Sequence, residues 1–301
     1  MTTILSGAPS APAYPHAVDF DALRPLFEVL IDELSSQPFS ACALSRALAA
    51  RVSEAAAILR AIPIQEGRLL ELGIGIIANL NRDLVVLTQN LRLPVTKTAL
   101  ELVEKNDPKH FRSLTLDADT GGRKSYTPDL IIMNRKTKLA HVVDVKRSLG
   151  SYEVSRINEL KSRMLAAALV VPDLLYRDPH RLVAEEVRVV ILNAENQRAD
   201  IAGGVWPLSH LDHLVEIGGA GRAIGMLRER FHSRIDENWT QARHSIGPKE
   251  EPARHTPTDI ADMNGSDKCA PGAGANIEAH QPAEHGHIRV GFARIPRTGA
   301  G

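Results

Sequence analysis

The chain has little cysteine, few aromatic residues and no excess of charge, and each shortage excludes something. Cys42 and Cys269 are its two cysteines in 301 residues, and no CxxC pair occurs. A zinc ribbon and a disulfide-stapled scaffold are therefore excluded. Aromatics make up 4%. The core must then be built from Leu, Ile, Val and Ala, and a base-stacking platform for single strands lacks its rings. Lys and Arg number 36 and so do Asp and Glu, leaving no formal net charge. That rules out a wholly basic, histone-like protein, but a local basic groove remains open because steering depends on the local field. The apolar runs, such as 166–171, fall far short of the roughly 20 residues of a membrane span. The opening MTTILSGAPSAPAYPHAVDF has no basic n-region followed by an apolar core, so it does not read as a signal peptide. The expectation is a soluble, cytoplasmic protein that makes no use of a membrane.

What the chain does have is a hydrophobic fraction of 44%, enough for a sizeable core. Residues 1–17 are rich in Ala, Pro, Ser and Gly and read as a disordered leader. From 247 onward Pro, Gly, Ala, Asn and His dominate, and 247–301 reads as a flexible tail unable to offset the entropy of ordering. Between them, 18–65 reads as a helical extension, 66–193 as the core and 194–246 as a C-terminal helical region. Helical spacing is expected over 19–34, 43–50, 53–61, 67–81, 83–90 and 96–105, with Ser53 a candidate N-cap. Alternation predicts strands at 112–117, 128–133, 139–146 and 187–192, with a helix over 151–169 and further helix over 208–231, interrupted at 218–221. This order implies an α/β fold with a central mixed sheet.

The runs PDLIIM (128–133) and LAHVVDVK (139–146) flank the polar stretch 134–138, which is a hairpin signal. A turn centred on Lys136 and Thr137 puts Asp129 directly opposite Asp144, on one face, with Cβ atoms roughly 5 Å apart. Lys146 lies two residues from Asp144 and shares its face. Like charges opposed across a sheet are unfavourable, and the Ile and Val residues around them raise the cost. A divalent cation bridging both carboxylates would neutralise the pair, and oxygen ligands suit Mg²⁺ or Mn²⁺. Between 121 and 163 stand ten Lys and Arg against four Asp and Glu. Such an excess of positive charge fits a phosphate backbone. Arg147, Lys161 and Arg163 are the candidate contacts.

Pro128-Asp129 followed by Asp144-Val145-Lys146, on two adjoining strands with a helix and another strand after them, resembles the PD-(D/E)xK nuclease superfamily over about 66–193. The resemblance implies a restriction-endonuclease-like core and a metal-dependent nuclease, with double-stranded DNA the expected partner and a homodimer compatible with it. It implies Asp129 and Asp144 as metal ligands, with the Val145 carbonyl a third. It implies that Lys146 orients or deprotonates the attacking water. It further implies an acidic residue on the first core helix. Glu71 is the candidate there, with Glu101 and Glu104 as rivals.

Other readings compete. The same fold could serve as a catalytically inactive nucleic-acid-binding or assembly module. Leu69-Leu70-Glu71-Leu72-Gly73-Ile74-Gly75 resembles the first motif of S-adenosylmethionine-dependent methyltransferases, but Ile77 stands where a third glycine belongs. Residues 43–61 could form a helix-turn-helix, yet EAAAIL offers few base-contacting side chains, and a packed helical hairpin is expected. His210 and His213 have helical spacing but do not by themselves make a zinc site. Cys42 is expected to be a small core residue.

Overall fold

The computed structural model describes residues 14–50, 52–88, 91–106, 124–177, 181–196, 198–245 and 288–295. A two-residue strand, β1 (His16–Ala17), precedes helices α1 (Phe20–Ser35), α2 (Ala41–Ala49) and α3 (Val52–Ala78). Strands β2 (Leu84–Thr88) and β3 (Leu93–Val95), helix α4 (Lys97–Lys105) and strand β4 (Lys124–Tyr126) follow. The central hairpin is β5 (Leu130–Asn134) and β6 (Leu139–Lys146). Helices α5 (Val154–Ala168) and α6 (Val171–Arg177) lead to β7 (Glu186–Asn193). Then come β8 (Val205–Pro207), α7 (Leu211–Val215), β9 (Ile217–Gly218), α8 (Ala220–Ser245) and β10 (Arg289–Phe292).

The main sheet runs in the order β10-β7-β6-β5-β2, with β8 also paired to β7. β5 runs antiparallel to both of its neighbours, β2 and β6, whereas β6, β10 and β8 all run parallel to β7. This is the expected mixed sheet. Helices cover both faces, which is why the central strands read as nearly continuous apolar runs. Leu130, Ile132, Val143 and Val145 pack with Leu69 and Ile74 of α3, Phe27 of α1 and Leu227 and Phe231 of α8. Ile131, Met133, Ala140 and Val142 pack with Met164 and Leu165 of α5 and Leu175 of α6. Neighbouring residues thus alternate between two cores, the period of two that a strand imposes.

Register in the hairpin is set by its turn. Asn134 Oδ1 accepts from the Lys136 and Thr137 amides at 2.9 and 3.0 Å, and Lys138 adopts a left-handed φ of 53°. Asn134 then pairs with Leu139 and Leu130 with Val143. This is the register that a turn centred on Lys136 and Thr137 requires.

Several expectations are corrected. Residues 84–88 form β2 rather than helix, because LVVLT is short and β-branched and completes the sheet beside β5. The expected helices at 53–61 and 67–81 are one 27-residue helix that runs through Pro63, so Ser53 lies inside it and is no N-cap. Gly73 and Gly75 are therefore helical, and the strand and glycine-rich turn of a methyltransferase motif are absent there. Gly73 instead lets α3 approach α8 closely, since a Cβ there would lie 2.4 Å from the Leu227 side chain. The expected leader reaches too far, because His16 and Ala17 pair in parallel with Ile217 and Gly218. The expected tail is also not wholly unstructured, since 289–292 pairs with β7 and buries Ile288, Val290 and Ala293. Cys42 is exposed. The expected strand at 112–117 lies outside the described residues. No helix among the described residues is long and apolar enough to cross a membrane.

Candidate active site at the end of the central hairpin

Asp129 immediately precedes β5, and Asp144 and Lys146 stand near the end of β6. β6 and β7 run parallel, and their carboxyl ends are where ligands settle in open α/β sheets. By strand alternation Asp144 shares the face of Ala140 and Val142, and Asp129 that of Ile131, so both carboxylates point to the α5 side of the sheet.

Each carboxylate is held by named donors. The Asp129 amide donates to the Val143 carbonyl at 3.1 Å. Its Oδ2 accepts from the Val145 amide at 2.6 Å, so the side chain takes over where the backbone ladder stops. Asp144 is 4% exposed. Its Oδ1 makes an ion pair with the Lys146 ammonium, and its Oδ2 accepts from the Tyr126 hydroxyl at 2.8 Å.

The electrostatics follow from this crowding. Burial, and then the negative Asp144, push the Asp129 carboxyl up to about 6. Burial, then Asp129, push Glu71 up to about 7, with Lys146 and Arg68 acting in the opposite sense. Half-buried on α3, Glu71 thus lies within the field of all three hairpin residues. Burial disfavours the Lys146 ammonium, yet the Asp144 carboxylate beside it prevails and holds the lysine above its ordinary value. Burial and Asp144 raise the Tyr126 phenol, which remains a neutral donor.

The rivals of Glu71 are placed differently. Glu101 bridges Lys97 and Lys105 along α4, and Glu104 is exposed. Among the described residues no three His, Cys, Asp or Glu side chains form a ready set of metal ligands. The acids offered here are two hairpin carboxylates with Glu71 as an electrostatic neighbour. His210 and His213 lie 5.4 Å apart between ring centroids, against Trp206 and Tyr14, and Asp212 between them is committed to the Gly219 and Gly221 amides.

The three candidate phosphate contacts have diverged. Lys161 is largely buried, paired with Asp200 at 3.1 Å and seated over the Phe292 ring of β10. Arg163 pairs with Glu159 at 2.6 Å on α5, and its charge is felt at Tyr126. Arg147 contacts Glu195 at 3.2 Å and Glu66 at 3.9 Å. Glu66 is a buried carboxylate at the centre of a network with Arg228 and His232. Burial works to raise Glu66, but the hydrogen bonds from His232 and Arg228 prevail and hold it below the usual range.

Sequence reasoning missed Tyr126 and Glu66. Tyr126 had one signal, a rare tyrosine three residues before Asp129 in Tyr-Thr-Pro-Asp. Glu66 had none, because its partners are Arg228 and His232 of α8 and Arg147 just past the end of β6. No family model, curated protein or solved structure matches the chain.

Proposed function

We propose that the chain is a metal-dependent nuclease of restriction-endonuclease-like fold that hydrolyses phosphodiester bonds in double-stranded DNA. The observation that carries this reading is the placing of Asp129, Asp144 and Lys146 on one sheet face at a strand end. The acids fit a hard divalent cation. Without one, Asp129 and Glu71 hold protons up to about 6 and 7, because burial first, and then the neighbouring carboxylates, disfavour their charged forms. Asp129, Asp144 and the Val145 carbonyl would hold Mg²⁺ or Mn²⁺. Such a cation, when bound, supplies Lewis acidity toward the phosphate and lowers the pKa of water.

The chain's own groups divide the remaining work. Water adds to phosphorus as the bond from phosphorus to the leaving oxygen breaks. Lys146, kept charged by Asp144, orients that water and balances charge on the phosphate oxygens. Glu71, able to carry a proton near neutrality, accepts one from the water. Arg163, whose charge is felt at Tyr126, and Arg147, which follows Lys146 in the chain, are the phosphate contacts in this reading.

A second reading is favoured by one observation. Both oxygens of Asp144 already have partners within the protein, as an inactive nucleic-acid-binding module would allow. Supercoiled plasmid separates the two. The nuclease reading expects nicking or linearisation that needs Mg²⁺ or Mn²⁺, stops with chelator, and is lost in Asp144→Ala with DNA binding retained. Binding without cleavage by the unaltered chain would establish the module instead, and undiminished cleavage by Asp144→Ala would remove these residues from the chemistry.

A further inference from the structure

The short stretch between β4 and β5 reaches the end of β6 twice. Tyr126 closes β4, which pairs with β3 and not with the main sheet. Asp129 stands three residues later, beyond Thr127 and the buried Pro128. Proline fixes its own φ and restricts the residue before it to extended conformations, so the two ends of the stretch are held at a set spacing. One end bonds Asp144 and the other the Val145 amide.

Resting on the metal-site reading above, we propose that Tyr126 is a positioning residue that sets the cation affinity of the Asp129–Asp144 pair by holding one oxygen of Asp144. A carboxylate only accepts, so the phenol is the donor in this contact. Tyr126 is 6% exposed and Asp144 4%, so water does not readily replace the bond. With Oδ2 held, the carboxylate cannot rotate to give both oxygens to Lys146, and Oδ1, already paired with that ammonium, is the oxygen that a cation would share with it. Without the phenol, the buried Oδ2 loses this donor and turns to Lys146, which withdraws Asp144 from the cation. The β3–β4 pair, outside the main sheet, thereby acts on the site through one hydroxyl. Outer-shell groups of this kind are worth about 10- to 100-fold in metal affinity or activity.

The test compares the full chain with Tyr126→Phe, which keeps the buried ring and removes the hydroxyl. Mn²⁺ binding is measured by calorimetry, Mg²⁺ half-saturation by plasmid cleavage, and unfolding by a metal-free thermal scan. The expected result is an Mn²⁺ dissociation constant raised about tenfold, a matching rise in the Mg²⁺ needed for half-maximal cleavage, and near-normal turnover at saturating metal. A variant that melts lower without metal but binds Mn²⁺ as the parent does would show a merely structural tyrosine and overturn the proposal. A parent chain that binds no Mn²⁺ would overturn both this proposal and the metal site. One that binds Mn²⁺ and does not cut would overturn the nuclease reading alone, and the Mn²⁺ affinity of Tyr126→Phe would still decide the role of the phenol.

Discussion

Asp129 carries the plainest conflict at the residue scale. Its carboxylate is half-buried beside another, and burial, then Asp144, push its carboxyl from 3.8 up to about 6. An acid whose folded pKa is raised favours the fold below its unfolded pKa and disfavours it increasingly as pH rises through the folded one. In the metal-free protein, Asp129→Asn should therefore be more stable than the parent at pH 7, by roughly 1–3 kcal/mol. The gain should shrink from about pH 6 downward and vanish below pH 4. Urea unfolding of both proteins at pH 7 and pH 4 checks this; an equal or negative difference at pH 7 would show that no like-charge strain exists. The opposed aspartates were legible in the sequence because a strand's period of two and a short turn leave one register. The donors to Asp144 were only half legible. Lys146 is two residues away, but Tyr126 arrives from a strand that composition did not reveal.

At the scale of elements, β10 reverses what composition suggests. Residues 246–288 separate it from α8, and the Pro- and Gly-rich character of that stretch hides the alternation of Ile288, Val290 and Phe292. Four residues then lie parallel to the first half of β7, while β8 takes the second half. Phe292 reaches Gly204, where a Cβ would lie 2.5 Å from its ring, and Arg289 pairs with Glu186 at 3.3 Å. Each fully buried aliphatic side chain contributes roughly 1.5–3 kcal/mol. A chain ending at residue 247 should thus melt roughly 5–15 °C below the full chain by calorimetry. An unchanged melting temperature would mean that β10 adds nothing to the fold. β2 teaches a related lesson. A five-residue apolar run has no period long enough to separate strand from helix, and pairing with β5 decides it.

At the scale of the whole molecule, the core and the site respond to acid with opposite signs. His141 is buried on β6 beside Arg188 of β7, and burial, then that arginine, push it down to about 3. A histidine kept neutral in the fold but free to charge when unfolded costs stability as pH falls from 6.5 toward 3. The site carboxyls, with raised pKa values, gain stability over part of the same range. His141→Asn isolates the first effect: the parent should lose about 2 kcal/mol more than the variant between pH 7 and pH 5. Chemical unfolding at both pH values measures it, and parallel losses would mean that His141 is not held neutral. The chain itself determined the hairpin, its register, the opposed aspartates, the lysine beside them and the mixed α/β class, because these depend on neighbours within about twenty residues and on strand and helix periods. Tertiary structure alone decided that 84–88 is a strand, that 289–292 joins the sheet, that Lys161 is spent on Asp200, that Tyr126 bonds Asp144 and that Glu71 comes within the field of the hairpin. Each of these depends on a partner distant in sequence, and local propensity carries no record of which distant surface a segment will bury against.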